Sequence, residues 1–111
     1  MKIAVASTGP TLEHYVGTRL GRCTYILIVD LDTMRYEPIV NPLVNFDEVE
    51  VTAFTNIISN KGVTAVMAGR CDADLLKKIN DSGIKTLIGF AGSVQRTLER
   101  FRSRNIPADA V

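Results

Sequence analysis

The sequence has little of what metal-chelating, nucleic-acid-binding or membrane proteins usually show. It contains two cysteines, Cys23 and Cys71, which are too far apart for a Cys-x-x-Cys zinc motif. Aromatic residues make up only 6%, which leaves few platforms on which nucleic-acid bases could stack. No run of about 18 apolar residues is present, and this excludes a membrane-spanning helix.

A surplus of charge is lacking as well. The formal net charge is +1, so no strong field favours DNA, RNA or an acidic membrane as a partner. The 111 residues, 46% of them hydrophobic, amount to one domain, 1–111, with a single core. Residues 1–7 have the pattern of a strand rather than of a signal peptide. We therefore expect a cytoplasmic protein with reduced thiols, and neither nucleic acid nor membrane as its partner.

The order of the predicted elements indicates the fold class. Short runs rich in apolar and β-branched residues predict strands over 2–7, 23–31, 35–41, 63–68 and 84–88. Helical spacing and capping residues predict helices over 46–61, 73–82 and 94–104. This order predicts a three-layer α/β/α domain, in which a five-stranded mixed sheet has its second strand antiparallel.

Single residues add detail to these elements. Pro38 cannot donate to a sheet ladder, so its strand is predicted at an edge. Asp72 and Ser93 are the expected N-caps of the second and third helices, and Gly62 is expected to end the first. The first helix is predicted to turn one apolar face inwards, formed by Val49, Ala53, Phe54, Ile57 and Ile58.

The topology also predicts where a ligand binds. In open α/β sheets, ligands lie beyond the carboxyl ends of the parallel strands, and the antiparallel second strand begins at the same rim. A long loop over 11–22 leads into that strand, and loops of this length in compact domains tend to be functional. The rim is therefore expected to collect most of the reactive and cationic side chains: His14, Arg19, Arg22, Cys23, Arg70 and Cys71.

Several segments resemble the dinitrogenase iron-molybdenum cofactor biosynthesis family, which includes the NifX and NafY core domains and the C-terminal domain of NifB. These segments are 1–7, Gly21-Arg22-Cys23 before a strand that ends in Val29-Asp30, 63–69 and 83–86. The resemblance covers essentially the whole chain. It implies a NifX-like domain with a ribonuclease-H-like fold, and the binding or carriage of iron-sulfur or iron-molybdenum cofactor precursors.

The chain departs from the family at its signature segment, which usually reads Ser-x-His-Phe-Gly-Arg. Here Gly21 and Arg22 match, whereas Leu20 stands at the phenylalanine position. Arg19 stands at the position of the histidine that the family favours as a cluster ligand, and an arginine has no lone pair to offer a metal at pH 7. The family's glycine-rich stretch before the first long helix is also replaced, by residues 44–47.

Three side chains are candidate metal donors: Cys71, Cys23 and His14. Thiolate is the preferred donor for iron-sulfur species, and Cys71 precedes a helix N-terminus, which favours the thiolate form. The alternative for each cysteine is a small buried hydrophobic residue, and for His14 a solvated loop residue. Three donors cannot close a conventional four-ligand site, so a bound cluster would be labile or shared across a homodimer.

A second set of residues is suited to anions. Arginine makes bidentate contacts with carboxylate and phosphate groups, and a glycine-bearing turn before a helix can present backbone amides. The alternatives are solvated surface arginines and an ordinary capped turn. The candidate ligand-binding residues are Arg19, Arg22, Arg70, Gly89, Gly92 and Ser93.

We predict a binding protein rather than an enzyme. Asp30 and Asp32 end the antiparallel strand, at the opposite rim from Asp72, so these carboxylates cannot form a nuclease-type metal site. The leading hypothesis is a carrier of an iron-sulfur or iron-molybdenum-type cluster, which is bound transiently and passed between donor and acceptor proteins. The alternatives are a metal-free domain for a small anionic metabolite or nucleotide, and a protein interaction module.

Overall fold

The computed structural model describes residues 1–43 and 47–104. Within them, the strands are β1 Lys2–Ser7, β2 Tyr25–Asp30, β3 Tyr36–Val40, β4 Val63–Met67 and β5 Lys85–Leu87. The helices are α1 Glu48–Asn60, α2 Ala73–Asp81 and α3 Val94–Arg104, and a short 3₁₀ turn covers Leu20–Arg22. The predicted start of the first helix at Phe46 and the chain after 104 lie outside the described residues.

The strands form one sheet in the order β3-β2-β1-β4-β5. β1 is parallel to β4 and β4 to β5, whereas β2 is antiparallel to both β1 and β3. The second strand is therefore the one that runs against the others, as predicted, and the order is that of the ribonuclease-H-like fold. Pro38 lies in the edge strand β3, where its missing N–H costs no ladder bond.

The sheet separates two apolar layers, because successive side chains of a strand point to opposite faces. On one face, Ala4 and Ala6 of β1 pack in a cluster with Phe54 of α1 and Ile79 of α2. On the other, alternate residues of β1 pack with α3, in a cluster formed by Ile3, Val5, Val16, Leu27, Val29, Leu31, Ala65, Met67, Val94 and Leu98. This arrangement confirms the three-layer α/β/α prediction. No helix in the described part of the chain has the length and apolar character to cross a membrane.

The helix ends agree with the predicted capping residues. The Ser93 hydroxyl accepts a hydrogen bond from the Arg96 N–H at 3.2 Å and so caps α3. Asp72 stands at the N-cap position of α2, although its side chain makes no capping hydrogen bond. Gly62 follows the last turn of α1 with a φ of +82°, a conformation that favours glycine.

The inward face of α1 agrees with the predicted apolar positions at Phe54 and Ile58 and differs from them at Val49, Ala53 and Ile57. The buried residues of this helix are Val51, Phe54, Thr55 and Ile58. Val49 is 79% exposed and Ile57 37% exposed. Because each residue turns an α-helix by about 100°, Val49 and Val51 lie on nearly opposite sides of it. The helix carries apolar residues on both sides, and packing against the sheet selects the side that includes Val51.

The two valines offer a matched test of this face. Replacing Val51 by alanine removes buried methyl groups and should lower the free energy of unfolding by about 2 kcal/mol. The same change at the exposed Val49 should alter it by less than about 0.5 kcal/mol. Urea unfolding followed by circular dichroism measures both. Equal destabilisation by the two substitutions would contradict the assigned face.

Candidate functional site

The loop between β1 and β2 is held against the end of β4 by backbone hydrogen bonds. The Gly69 N–H donates to the Gly17 carbonyl at 3.0 Å, and the Arg70 N–H donates to the Thr18 carbonyl at 2.7 Å. The Leu20 N–H in turn donates to the Arg70 carbonyl at 3.0 Å. This segment therefore extends the sheet beyond the carboxyl end of β4.

Glycine is required at two positions along this loop and its partner segment. A Cβ atom at position 69 would lie 2.8 Å from the Thr18 carbonyl oxygen, and one at position 17 would lie 2.7 Å from the Cβ of Cys23. The first of these obstacles is backbone and cannot move without breaking the ladder. Gly17 and Gly69 are thus required by the path of the loop.

A cleft of about 370 Å³ opens beside this ladder. It is lined by Thr8, Gly17, Thr18, Arg19, Arg22, Cys23 and Thr24. The structure thus brings Arg19, Arg22 and Cys23 together at the carboxyl rim of the sheet. The three threonines were not among the residues singled out from the sequence, although each stands beside a turn or the start of a strand.

Among the residues that the structure describes, the arginines at this rim have no acidic partner. Arg19 and Arg70 are bridge partners on neighbouring segments, which places two like charges side by side. Both are exposed, as is Arg22, and in the described residues no carboxylate lies within 4.0 Å of any of the three. Like charges on neighbouring segments repel each other, and a bound anion offsets this repulsion. The rim is therefore electrostatically suited to a negatively charged ligand.

The Cys23 thiol is fixed in the wall of the cleft. Its Sγ donates to the Leu20 carbonyl at 3.1 Å and accepts from the Asn41 side-chain amide at 3.2 Å. The same amide donates to the carbonyls of Leu20 and Cys23, at 2.8 and 3.0 Å. Burial raises the pKa of Cys23, although hydrogen bonds from the Ser7 backbone and Asn41 act in the opposite direction. Asn41 is thus a positioning residue that the sequence pattern did not reveal.

Cys71 differs from its prediction. Burial, followed by the neighbouring Asp72 carboxylate, raises its pKa to about 11. This direction is opposite to the expectation that the helix N-terminus favours the thiolate, because desolvation and a nearby negative charge both favour the protonated thiol. The side chain packs against the core cluster on the α1 and α2 face and does not line the cleft.

The structure does not join His14 to the cysteines. Its Nδ1 lies 2.9 Å from the Thr11 hydroxyl and 3.3 Å from the Thr11 N–H, and its ring occupies the space beside Gly9. In the described part of the chain, no three histidine, cysteine or acidic side chains form a group that could hold a metal ion. The predicted donor set of Cys71, Cys23 and His14 is therefore not preassembled.

The glycine-bearing turn before α3 is used inside the fold. The Gly89 N–H donates to the Gly69 carbonyl, and the Gly92 carbonyl accepts from the Val16 N–H. The first amides of α3, those of Val94 and Gln95, donate to carbonyls of the β1–β2 loop. Ser93 caps the helix. These contacts favour the alternative of an ordinary capped turn, in which the Gly89 amide and the first amides of α3 brace the loop.

A larger cleft, of about 590 Å³, lies at the opposite rim. Its lining mixes both signs of charge, and Lys61 is bound to Glu37 by contacts of 2.8 and 3.0 Å. Asp30 lines this cleft opposite Lys2, at the far end of β1 from Asp72. Because the charges there are partly compensated, the smaller arginine-lined cleft is the better candidate for an anion.

The fold and this cleft define a small α/β domain that presents a cationic, thiol-bearing site at the carboxyl rim of its sheet. The family model for dinitrogenase iron-molybdenum cofactor matches residues 1–104. The chain belongs to this family. A sequence comparison with curated proteins finds no match.

Solved structures share the fold across nearly the whole chain. The apo orange protein from Desulfovibrio gigas has a TM-score of 0.79 at 24% identity, covering 96% of this chain and 90% of its own. A Thermotoga protein described as NifB-like has a TM-score of 0.73 at 22% identity, with coverages of 94% and 88%. A dinitrogenase-like protein from Methanocaldococcus jannaschii has a TM-score of 0.64 at 19% identity, with coverages of 96% and 92%. At these identities the likeness establishes the fold.

The role of Asn41 can be tested by substitution. Asn41→Leu leaves the carbonyls of Leu20 and Cys23 without their donor and should lower the free energy of unfolding by about 1–3 kcal/mol. The same change at the exposed Asn56 of α1 is the control and should cost less than about 0.5 kcal/mol. Urea unfolding measures both. Similar stability of the two variants would show that Asn41 does not fix the wall of the cleft.

The pKa of Cys71 can be tested by alkylation in a Cys23→Ser background. A pKa of about 11 instead of 9.0 leaves far less thiolate at pH 8.5. Since the remaining thiolate is more nucleophilic, iodoacetamide should react about tenfold more slowly than with an unfolded peptide of residues 69–74. Asp72→Asn should speed the reaction and Asp74→Asn should not. A rate equal to that of the peptide would contradict the raised pKa.

Proposed function

We propose that this chain is a carrier for an anionic metallocluster, of the iron-sulfur or iron-molybdenum type or a precursor of one, held in the cleft at the carboxyl rim. The observation that supports this most directly is the convergence of Arg19, Arg22 and the Cys23 thiol on one cleft, beside Arg70. The family to which the chain belongs is consistent with such cargo.

The residues at the cleft favour retention by charge and hydrogen bonding over complete ligation. Guanidinium groups bind planar and multiply charged anions through several N–H donors, and the hydroxyls of Thr8, Thr18 and Thr24 add further donors. One thiol lines the cleft. The cleft of each chain therefore offers a cluster one thiol ligand. The remaining ligands of the cluster would be its own bridging sulfides or organic groups.

The thiols favour transient binding. Metal ligation requires thiolate, so a thiol with a raised pKa must lose its proton to the solvent when a cluster binds. That requirement weakens ligation near neutral pH for Cys23, whose pKa is raised by burial. A weakly ligated cluster can be passed on, which is what transfer between a donor and an acceptor protein requires. In this proposal the chain delivers its cargo and performs no reaction of its own.

A second candidate is supported by the same arginines. Arg19, Arg22 and Arg70, together with the threonine hydroxyls, can bind a small anionic metabolite or a nucleotide phosphate without any metal. In that case Cys23 contributes to the cleft wall only. The two candidates make different predictions for iron uptake, so one experiment distinguishes them.

The experiment is anaerobic reconstitution with ferrous iron and sulfide, followed by visible absorption and iron analysis. Wild type should take up iron. The double variant Arg22→Ala/Arg70→Ala should bind it about tenfold more weakly, since it loses two charge-assisted contacts, and the effect should shrink at high salt. Arg96→Ala/Arg100→Ala removes the same charge from the outer part of α3 and is the matched control.

One outcome would contradict the carrier function, and another would contradict the assignment of the cleft as its binding site. If wild type takes up no iron, the hypothesis that the chain binds a cluster is rejected. A rise in thermal stability with added phosphate, absent in Arg22→Ala/Arg70→Ala, would then favour the metal-free anion site. If wild type, Arg22→Ala/Arg70→Ala and the control Arg96→Ala/Arg100→Ala all take up iron equally, the arginine-lined cleft is not where the cluster binds.

A further inference from the structure

Tyr15 places a large aromatic side chain in solvent at the border of the cleft. It is 63% exposed. Its position is set by Thr8, which lines the cleft: the Thr8 N–H donates to the Tyr15 carbonyl at 2.9 Å, and the Tyr15 N–H donates to the Thr8 hydroxyl at 3.1 Å. Exposed tyrosines are enriched where protein surfaces meet. The ring therefore marks this rim as a contact surface as well as a ligand site.

The charges of the rim decide when such a contact can form. Arg19, Arg22 and Arg70 are exposed beside the cleft, with no carboxylate within 4.0 Å among the described residues. Two copies of the chain that meet rim to rim therefore repel each other. A multiply charged anion between them reverses the sign of the interaction, since arginines from both copies then surround it.

The number of thiols in the cleft also favours a contact between two copies of the chain. One thiol, Cys23, lines it in each chain, whereas iron clusters are usually held by several thiolates. A cluster bound at this surface site keeps a face towards solvent. A second copy in a twofold arrangement can present its own Cys23 to that face, because an isologous contact brings the same residues from both sides.

We propose that the cargo joins two copies of this chain rim to rim, with Cys23 and the three arginines of each copy facing the same cluster and Tyr15 at the twofold contact. This inference rests on the proposed carrier function. Because the repulsion between the rims is offset only while the anion is present, the pair forms with the cluster and separates when it leaves. Separation exposes the cluster site to an acceptor.

The test is the mass of the reconstituted protein in solution. Sedimentation velocity and native mass spectrometry are recorded anaerobically, before and after reconstitution with ferrous iron and sulfide. The apo chain should be a monomer, and the iron-loaded chain should have twice its mass with one cluster per pair. Tyr15→Ser should raise the dissociation constant of the loaded dimer about tenfold, because it removes an aromatic contact.

Tyr36→Ser is the matched control, since Tyr36 is 40% exposed at the opposite rim, and it should leave the dimer unchanged. A chain that binds iron and stays monomeric overturns the bridged pair while the carrier function stands. A dimer that forms without iron also overturns it. A chain that takes up no iron overturns the carrier function and, with it, this inference. Equal effects of Tyr15→Ser and Tyr36→Ser would show that the contact lies elsewhere.

Discussion

The candidate site depends on one short backbone ladder, in which the β1–β2 loop runs beside the end of β4. Backbone hydrogen bonds fix the position and direction of this loop. They join Gly17, Thr18 and Leu20 of the loop to Gly69 and Arg70 after β4. Without them, Arg19 and Arg70 would not be neighbours and the cleft would have no wall. A Cβ at Gly69 would collide with the Thr18 backbone of this ladder, and a Cβ at Gly17 would collide with the side chain of Cys23, so the path of the loop requires glycine at both positions.

The electrostatics of the site follow from this placement. The ladder brings Arg19 next to Arg70 without a compensating carboxylate in the described residues, and the same fold buries much of the Cys23 thiol. Cations stay charged at a surface, whereas a thiol that loses solvent keeps its proton. The result is a site rich in positive charge and hydrogen-bond donors but poor in ready thiolate. The charges and donors of such a site suit an anion better than they suit direct ligation of a metal.

The sequence was sufficient for the fold and for part of the site. Strand and helix order follow from apolar periodicity, and Pro38 indicates the edge strand from its own chemistry. The inward face of α1 was mispredicted because Val49 is apolar but exposed, whereas Thr55 is polar but buried. The periodicity of apolar residues shows only which faces of a helix are apolar. Where two faces of a helix are similarly apolar, packing against the sheet decides which one is buried.

The errors at the site have a different origin, since they depend on contacts between distant segments. The amide of Val94 is occupied by the carbonyl of His14, and the thiol of Cys71 is desolvated beside Asp72. Local sequence gives neither fact.

Arg19, by contrast, is informative from the sequence alone, because it occupies the signature histidine position. A histidine there would change its charge between about pH 5 and 8, whereas an arginine keeps it. In the proposed carrier, retention by charge is therefore constant over that range, and the pH dependence of binding is assigned to Cys23. Since burial raises the pKa of Cys23, the thiol that lines the cleft, forming its thiolate should strengthen binding about tenfold per pH unit up to that pKa. The arginines would thus retain the cargo by their charge, and protonation of Cys23 in the same cleft would favour its release.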